Sequence, residues 1–132
     1  MIWSNRFVPI PWAGVLLTWT FFQGCGPSGN APVNVDIAKQ TLQTTLEKWK
    51  NGDEITSLQK ASPSIVVQDM DWTSGAKLIK FEILSDPKPM DANLIAKVKL
   101  KLSDANGQES EKDVTYMVGT APALTVFRDM FH

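Results

Sequence analysis

The sequence has very few of the residues that carry most enzyme chemistry. Its one histidine is His132, at the last position, and its one cysteine is Cys25. A Ser-His-Asp or Cys-His catalytic set needs an internal histidine, and a zinc site needs several histidine or cysteine ligands. A glycine-rich phosphate-binding loop is also missing. We therefore expect no catalytic set of these types, no metal and no cofactor.

The chain also lacks an excess of charge of either sign. It has 13 Lys and Arg residues against 14 Asp and Glu residues, a formal net charge of -1 at pH 7. A nucleic-acid-binding domain normally shows a basic excess or a basic stripe that contacts the phosphate backbone. The charge balance therefore argues against a nucleic-acid partner.

No apolar run is long enough to cross a membrane. The uncharged segment "FVPIPWAGVLLTWTFF" follows Arg6, and Pro9 and Pro11 oppose a helix at its start. The remaining stretch, residues 12–22, would reach only about 16 Å as a helix, whereas the bilayer core is about 30 Å thick. A basic start, an apolar middle and a small residue before the cut are typical of a secretory signal. We therefore predict that residues 1–24 are a signal peptide.

The single cysteine lies directly after this segment. Gly24 precedes Cys25, and residues 26–32, "GPSGNAP", have the composition of a loop or tether. In this region the chain resembles a bacterial lipoprotein, although Phe22 and Gln23 depart from the residues that the family pattern favours. The resemblance implies that the thiol is diacylated, that the chain is cut before Cys25, and that the new amine is acylated. The alternative is a free or buried thiol after an ordinary signal.

These features predict three parts of the chain and its location. Residues 1–24 are the signal peptide, residues 25–33 the lipidated cysteine and a flexible tether, and residues 34–132 one domain. The resemblance implies an exported protein that is anchored in the bacterial cell envelope, on the periplasmic side or the cell surface. Its partners would be the membrane, through the lipid anchor, and an envelope protein or a second copy.

The domain is predicted to begin with a long helix and a short one. Apolar residues from Val35 onward recur at steps of four, four and three and share one helix face; they are Ala38, Leu42, Leu46 and Trp49. Asn34 or Asp36 can cap the start, and Asn51-Gly52 supplies a left-handed stop. Asp53 can then cap a second helix that ends at Ser62-Pro63.

After Pro63 the apolar period changes to two, which is typical of half-buried strands. The second of these segments places Ile79, Phe81 and Ile83 on one face, and "DPKPMD" at 86–91 is predicted to be a turn. The strand segments are "SIVVQD", "KLIKFEIL", "ANLIAKVKLKLS", "EKDVTYMV" and "ALTVFRDMF". The predicted fold class is α+β, with an N-terminal long helix plus a short helix packed on a curved antiparallel sheet of about four or five strands.

The hairpin between the third and fourth segments permits a definite register. A two-residue Asn106-Gly107 turn would pair residues from opposite sheet faces, whereas a three-residue loop, 105–107, places Lys101 opposite Glu111 and Lys99 opposite Asp113. Such cross-strand charge pairs contribute about 0.2–1 kcal/mol each. We therefore predict the longer loop, with Gly107 left-handed. The lysines of this strand then form a solvated sheet face rather than an anion-binding patch.

At the level of element order, the domain resembles small nuclear-transport-factor-2-like or cystatin-like folds, in which a curved sheet wraps a helix. The segments "PSIVVQDMDW", "GAKLIKFEI" and "VTYMVGTAPALTVFRDMF" are also similar to those of small bacterial lipoproteins. Enzymes of the first group use a pocket with buried Asp, His, Tyr or Arg. The resemblance therefore implies a fold, and it implies a site only where such residues are present.

The remaining candidates for acid-base chemistry are Asp69, Asp71, Tyr116 and Arg128. The spacing of the two aspartates could begin a calcium loop, but the glycine and distal glutamate that such a loop requires are missing. The alternative is structural: the aspartates cap a loop and Trp72 packs at the sheet edge. Arg128 shares a strand side with apolar residues, so it needs a carboxylate partner if that side faces the core.

Three hypotheses about function follow. The first is a non-catalytic, lipid-anchored envelope domain that binds a protein or a small molecule through the concave face of its sheet. The second is a pocket enzyme of nuclear-transport-factor-2-like type that uses the four acid-base candidates. The third is a structural homodimer that packs through its sheet. A cavity of a few hundred Å³ with an Asp inside would favour the enzyme.

Overall fold

The computed structural model describes residues 31–131, and they form a long helix, two short helices and six strands. In chain order the elements are α1 (Val35–Lys50), α2 (Ile55–Gln59), β1 (Ile65–Gln68), α3 (Met70–Thr73), β2 (Lys77–Ile83), β3 (Lys88–Met90), β4 (Asn93–Ser103), β5 (Glu109–Gly119) and β6 (Leu124–Arg128). No helix within 31–131 has the length and apolar character needed to cross a bilayer. The predicted signal peptide, Cys25 and His132 lie outside the described residues.

The long helix α1 follows the predicted pattern. The Asn34 side chain accepts a hydrogen bond from the Ile37 N–H at 3.1 Å, which caps the helix start. Gly52, with a φ of 90°, follows the helix end in the left-handed conformation that glycine adopts without strain. The four predicted apolar residues are all buried. They pack α1 against one face of the sheet, where the helix contacts β1, β2, β4, β5 and β6.

The sheet is curled and mixed. The predicted α+β class is therefore confirmed, but the prediction of a wholly antiparallel sheet was wrong. The strand order is β1-β6-β5-β4-β2, and β3 pairs with β4 beyond the end of β2. β1 runs parallel to β6, with Ile65 opposite Leu124 and Gln68 opposite Phe127. The long connection between these two parallel strands contains α3 and the strands β2 to β5.

The β4–β5 hairpin confirms the predicted register. Lys101 lies opposite Glu111, Lys99 opposite Asp113, and Gly107 has a φ of 81°. The Asp104 N–H donates to the Gln108 carbonyl at 3.0 Å, which closes the three-residue loop. The ion pair of Lys101 is with Glu109, at 3.5 Å, rather than with Glu111, the residue that lies directly opposite it.

Three local predictions were wrong, each for a physical reason. Glu54 rather than Asp53 is the N-terminal flanking residue of α2, and its side chain makes no capping hydrogen bond. The predicted turn at 86–91 contains β3, because β4 is long enough to pair with both β2 and β3. A β-bulge at Ile79 interrupts β2, so Leu78, rather than Ile79, joins the core face with Phe81 and Ile83.

One hydrophobic core lies between α1 and the sheet. Every second residue of β4 from Leu94 to Leu102 is buried in it. Since α1 covers this apolar face, the face is not open to a partner as the first hypothesis required. The segment before α1 is held to the sheet, because the Val33 N–H donates to the Asp91 carbonyl at 3.2 Å.

Candidate functional site

The structure brings the four acid-base candidates together at one end of the sheet. Asp69 follows β1 and is the N-cap of α3, and Asp71 lies in the first turn of that helix. Tyr116 of β5 lies opposite Arg128 of β6. Because β1 is parallel to β6, the last residue of β1 and the last residue of β6 lie at the same end of the sheet. This parallel pairing is what places the aspartates beside the tyrosine and the arginine.

Asp69 is the centre of this cluster, and its side chain is only 1% exposed. One carboxylate oxygen, Oδ1, accepts from the Asp71 N–H at 2.9 Å and the Trp72 N–H at 3.2 Å. The same oxygen accepts from the Arg128 Nη2 at 3.1 Å, and Oδ2 accepts from the Tyr116 hydroxyl. Both oxygens of this buried carboxylate therefore accept hydrogen bonds from donors within the protein, as burial of a charge requires.

Asp71 links the buried cluster to the surface. Its Oδ2 accepts from the Arg128 Nη2 at 2.6 Å and from the Lys112 Nζ at 3.1 Å. The sequence analysis missed Lys112, although its position has the same parity along β5 as Tyr116. The two carboxylates are thus matched by two cations, and the cluster carries no net charge while Tyr116 is protonated.

The electrostatics keep Tyr116 protonated and Arg128 charged. Burial raises the pKa of the Tyr116 phenol well above its ordinary value of 10.0, and the adjacent Asp69 carboxylate raises it further. Burial alone would lower the pKa of the Arg128 guanidinium, but Tyr116, Asp69 and Asp71 together raise it. Tyr116 is therefore a hydrogen-bond donor rather than a base at neutral pH.

The geometry of the cluster is that of a structural network. The Arg128 side chain is 7% exposed, and its carbon Cζ lies 5.7 Å from the centre of the Tyr116 ring. Its Nε is the single buried side-chain polar atom without a partner among the described residues. Arg128 therefore has the carboxylate partners that its strand position requires. The alternative that the aspartates act as caps is correct for Asp69, which caps α3.

A cleft lies at a different place, at the C-terminal end of α1. It is open, has a volume of about 760 Å³, and is formed by the α1–α2 connection on one side and by α3 and the start of β2 on the other. None of the four acid-base candidates lines it. Sequence analysis missed the cleft because its walls come from separate segments. The paired apolar positions Trp49 and Trp72 were interpreted only as core or edge residues.

Two tryptophans form the floor of this cleft and fix its width. The Trp49 and Trp72 rings stack with their centres 5.2 Å apart and an angle of 3° between their planes. The Trp49 Nε1 donates to the Ala76 carbonyl at 2.9 Å, and the Trp72 Nε1 donates to the Asp53 carbonyl at 3.2 Å. Each indole thus reaches from its own wall to the backbone of the opposite wall. The two hydrogen bonds hold the cleft in a preformed shape.

The rim of the cleft carries charges that the protein leaves uncompensated. Lys50, Glu54 and Lys77 line the cleft, are exposed, and make no ion pair with any residue in 31–131. Asp53 is paired with Lys48, at 3.8 Å. Half-buried Ile55 and Ile79, the bulged residue of β2, supply apolar surface. This combination of apolar walls and a few polar groups is typical of small-molecule sites.

A metal ion has no evident place in the described part of the chain. No three His, Cys, Asp or Glu side chains of residues 31–131 are grouped to hold one. The charges of Asp69 and Asp71 are taken up by Arg128 and Lys112 instead.

Comparison of the chain with protein-family models, with curated proteins and with solved structures found no match. The function is therefore inferred from the geometry of the two sites.

Proposed function

We propose that the protein is a lipid-anchored cell-envelope protein whose domain binds a small amphiphilic molecule in the tryptophan-floored cleft without transforming it. The observation that carries this proposal is the preformed cleft of about 760 Å³, with stacked indoles beneath it and unpaired charges at its rim. The lipid anchor at Cys25 rests on the sequence resemblance. The nuclear-transport-factor-2-like or cystatin-like fold is likewise proposed from the sequence resemblance, and the long helix against a curled mixed sheet has the α+β class that such a fold requires.

The buried cluster supports binding over acid-base chemistry. A general acid or base must reach the proton that it transfers in a bound substrate. Asp69 is 1% exposed and its two oxygens already accept four hydrogen bonds, while the Tyr116 hydroxyl donates to it. Neither residue lines the cleft. A substrate in the cleft would therefore not meet the groups that the enzyme hypothesis requires.

The chemistry of the cleft indicates the class of ligand. Half-buried Ile55 and Ile79 favour an apolar body, since apolar area removed from water contributes about 25 cal/mol per Å². Lys50 and Lys77 favour an anionic group on that body, and Glu54 leaves room for a cationic one. An apolar organic anion or zwitterion satisfies both the walls and the rim.

The proposal is tested with the fluorescent probe anilinonaphthalene sulfonate, an aromatic organic anion. We expect saturable binding that weakens about 3- to 10-fold in Lys77→Glu and in Thr73→Trp, because the first reverses a rim charge and the second fills cleft volume. Both positions are exposed, so the fold is expected to persist. Lys60→Glu, at the exposed residue that follows α2, is the matched charge control. Equal affinity in all variants, or no saturable binding, would contradict the proposal.

The anchor is tested separately by intact mass and membrane partitioning in a bacterium that processes lipoproteins. We expect a mature chain that starts at Cys25 and carries acyl chains, recovered in the membrane fraction. Cys25→Ser is expected to lose both the mass increment and the partitioning, because one thiol carries the first two acyl chains. An unmodified wild-type chain would overturn the anchor and leave the cleft proposal standing.

A further inference from the structure

The strand β2 is a long sheet edge that nothing within residues 31–131 covers by pairing. It is seven residues long, lies last in the strand order and pairs only with β4. The opposite edge, β1, has four residues and is in contact with α2. Proteins usually shorten or cover their edges because a free edge is a template for another strand. β2 is therefore the edge at which a further strand could add.

The backbone of β2 offers hydrogen-bonding groups at this edge. The Leu84 N–H, directly after β2, donates to the Lys97 carbonyl of β4 at 2.8 Å, so the backbone groups of Leu84 face β4. In an antiparallel pair, alternate residues face the partner and the residues between them face away. The N–H and C=O groups of Phe81 and Ile83 therefore point away from β4, toward the outer edge.

The side chains beside these groups carry charge of both signs, and Glu82 lies opposite Lys99 of β4. Lys80 and Glu82 are exposed, and neither forms an ion pair with another described residue. On the inner side Lys80 lies opposite Lys101, a pair of like charges that is unfavourable across strands. Lys80 would thus gain from an acidic neighbour on its outer side.

We propose that this edge pairs with the β2 edge of a second copy of the chain, in antiparallel orientation about a two-fold axis at Phe81. In this register Lys80 of each copy lies opposite Glu82 of the other, and each Phe81 exchanges two backbone hydrogen bonds with its counterpart. Moving the two-fold axis by one residue toward the start of β2 places Lys80 of one copy opposite Lys80 of the other. A shift toward its end places Glu82 opposite Glu82. Only the register at Phe81 matches opposite charges.

The bulge at Ile79 sets the limits of this interface. It interrupts the regular backbone pattern two residues before Phe81, so the shared ladder is short and the association is weak. A two-fold interface uses the same patch on both copies and closes on itself. Because β1 is short and covered, a second copy completes the assembly at two chains rather than beginning a fibre.

Charge reversal tests the interface by sedimentation of the full chain carrying Cys25→Ser, kept in the same nonionic detergent throughout. We expect the wild-type edge to dimerise at high protein concentration, and Lys80→Glu or Glu82→Lys alone to weaken dimerisation about tenfold, since each single change creates two like-charge pairs. The double variant Lys80→Glu with Glu82→Lys restores the pairing. An equimolar mixture of the two single variants is expected to form mixed dimers. Lys60→Glu is the matched control and should dimerise like wild type.

Disulfide trapping tests the register directly in the Cys25→Ser background, which has no other cysteine. Directly opposed residues in such a pair have Cβ atoms about 4.5–5.5 Å apart, close to what a disulfide accepts. Lys80→Cys mixed with Glu82→Cys is expected to form mostly mixed cross-links, and each variant alone few. A monomer at every concentration, dimers insensitive to the charge changes, or cross-links mainly within one variant would overturn the proposal.

Discussion

Asp69 has two structural roles. It caps α3 through two backbone N–H groups and it balances the buried guanidinium of Arg128. Asn is as good an N-cap as Asp but carries no charge. A change between these two residues therefore separates the electrostatic role from the capping role.

We predict that Asp69→Asn lowers the free energy of unfolding by about 3 kcal/mol, the lower end of the loss for breaking a buried ion pair, because Asp71 still contacts Arg128. Urea denaturation at neutral pH measures it. Asp71→Asn is the matched control and should cost about 1 kcal/mol, since its carboxylate is 19% exposed and better solvated. Equal losses would show that the charge of Asp69 is not the main contribution.

The raised pKa of Tyr116 predicts that the protein loses stability in alkaline solution. Its pKa is raised in the folded state, so below pH 10 both folded and unfolded chains keep the phenol proton and stability does not change through this group. Above the unfolded value of 10.0 the unfolded chain releases the proton more readily, so the free energy of unfolding falls as pH rises.

Tyr116 is the only tyrosine, so its ultraviolet absorbance reports one group. We expect tyrosinate to appear together with unfolding rather than before it. Tyr116→Phe should remove this component of the alkaline loss while lowering stability at neutral pH, because Asp69 loses a hydrogen-bond donor. Free titration of the phenol in the folded protein near pH 10 would contradict the assignment.

The residues of the buried cluster could be named from the sequence, but their contacts could not. The parity of β6 indicated that Arg128 faces apolar neighbours and needs a carboxylate. The choice of Asp69 and Asp71 as partners depends on the parallel β1–β6 pairing, which joins segments about sixty residues apart and leaves no local signal. Lys112 was missed because its contact with Asp71 joins residues that are 41 positions apart in the chain.

At the scale of the element, the β4–β5 hairpin shows how local chemistry fixes a register. Cross-strand charges and one glycine were sufficient to predict it. The bulge in β2 was not predictable, because Leu78 and Ile79 are both apolar and either could have continued the core face. The packing under α1 selects Leu78, which is 3% exposed. Alternation alone contains no information about which residue the helix covers.

We predict that Gly107→Ala lowers the free energy of unfolding by about 1 kcal/mol through backbone strain alone. A Cβ at this position would meet no atom within 4 Å, so no steric clash contributes. Thermal or urea unfolding measures the effect. Gly107→Asn is the comparison and should cost less, since Asn adopts the left-handed conformation more readily. An equal cost for the two variants would argue against the φ of 81°.

At the scale of the whole molecule, α1 separates the start of the domain from the cleft. The helix has 16 residues, a length of about 24 Å at 1.5 Å per residue, and the cleft lies at its far end. In a chain anchored through Cys25, the tether would join the domain at the N-terminal end of α1, about one helix length from the cleft.

In the processed protein Trp49 and Trp72 would be the only tryptophans, because the other three precede Cys25. We predict that brominated acyl chains leave the fluorescence of the vesicle-anchored protein unchanged, since bromine quenches only at close range. Strong quenching would mean that the cleft enters the bilayer. Addition of a soluble quencher such as acrylamide to the same sample is the control for accessibility from water.

The position of β6 in the sheet has a consequence for the timing of folding. β6 is the last strand of the described chain, yet it lies between β1 and β5 and supplies Arg128 to the aspartates beside β1. Until residue 128 has been synthesised, β1 has no partner strand and Asp69 no counter-ion. A precursor still emerging from the ribosome therefore cannot complete its core. For a protein that we propose is exported, this late closure keeps the domain from folding while its chain is still being synthesised.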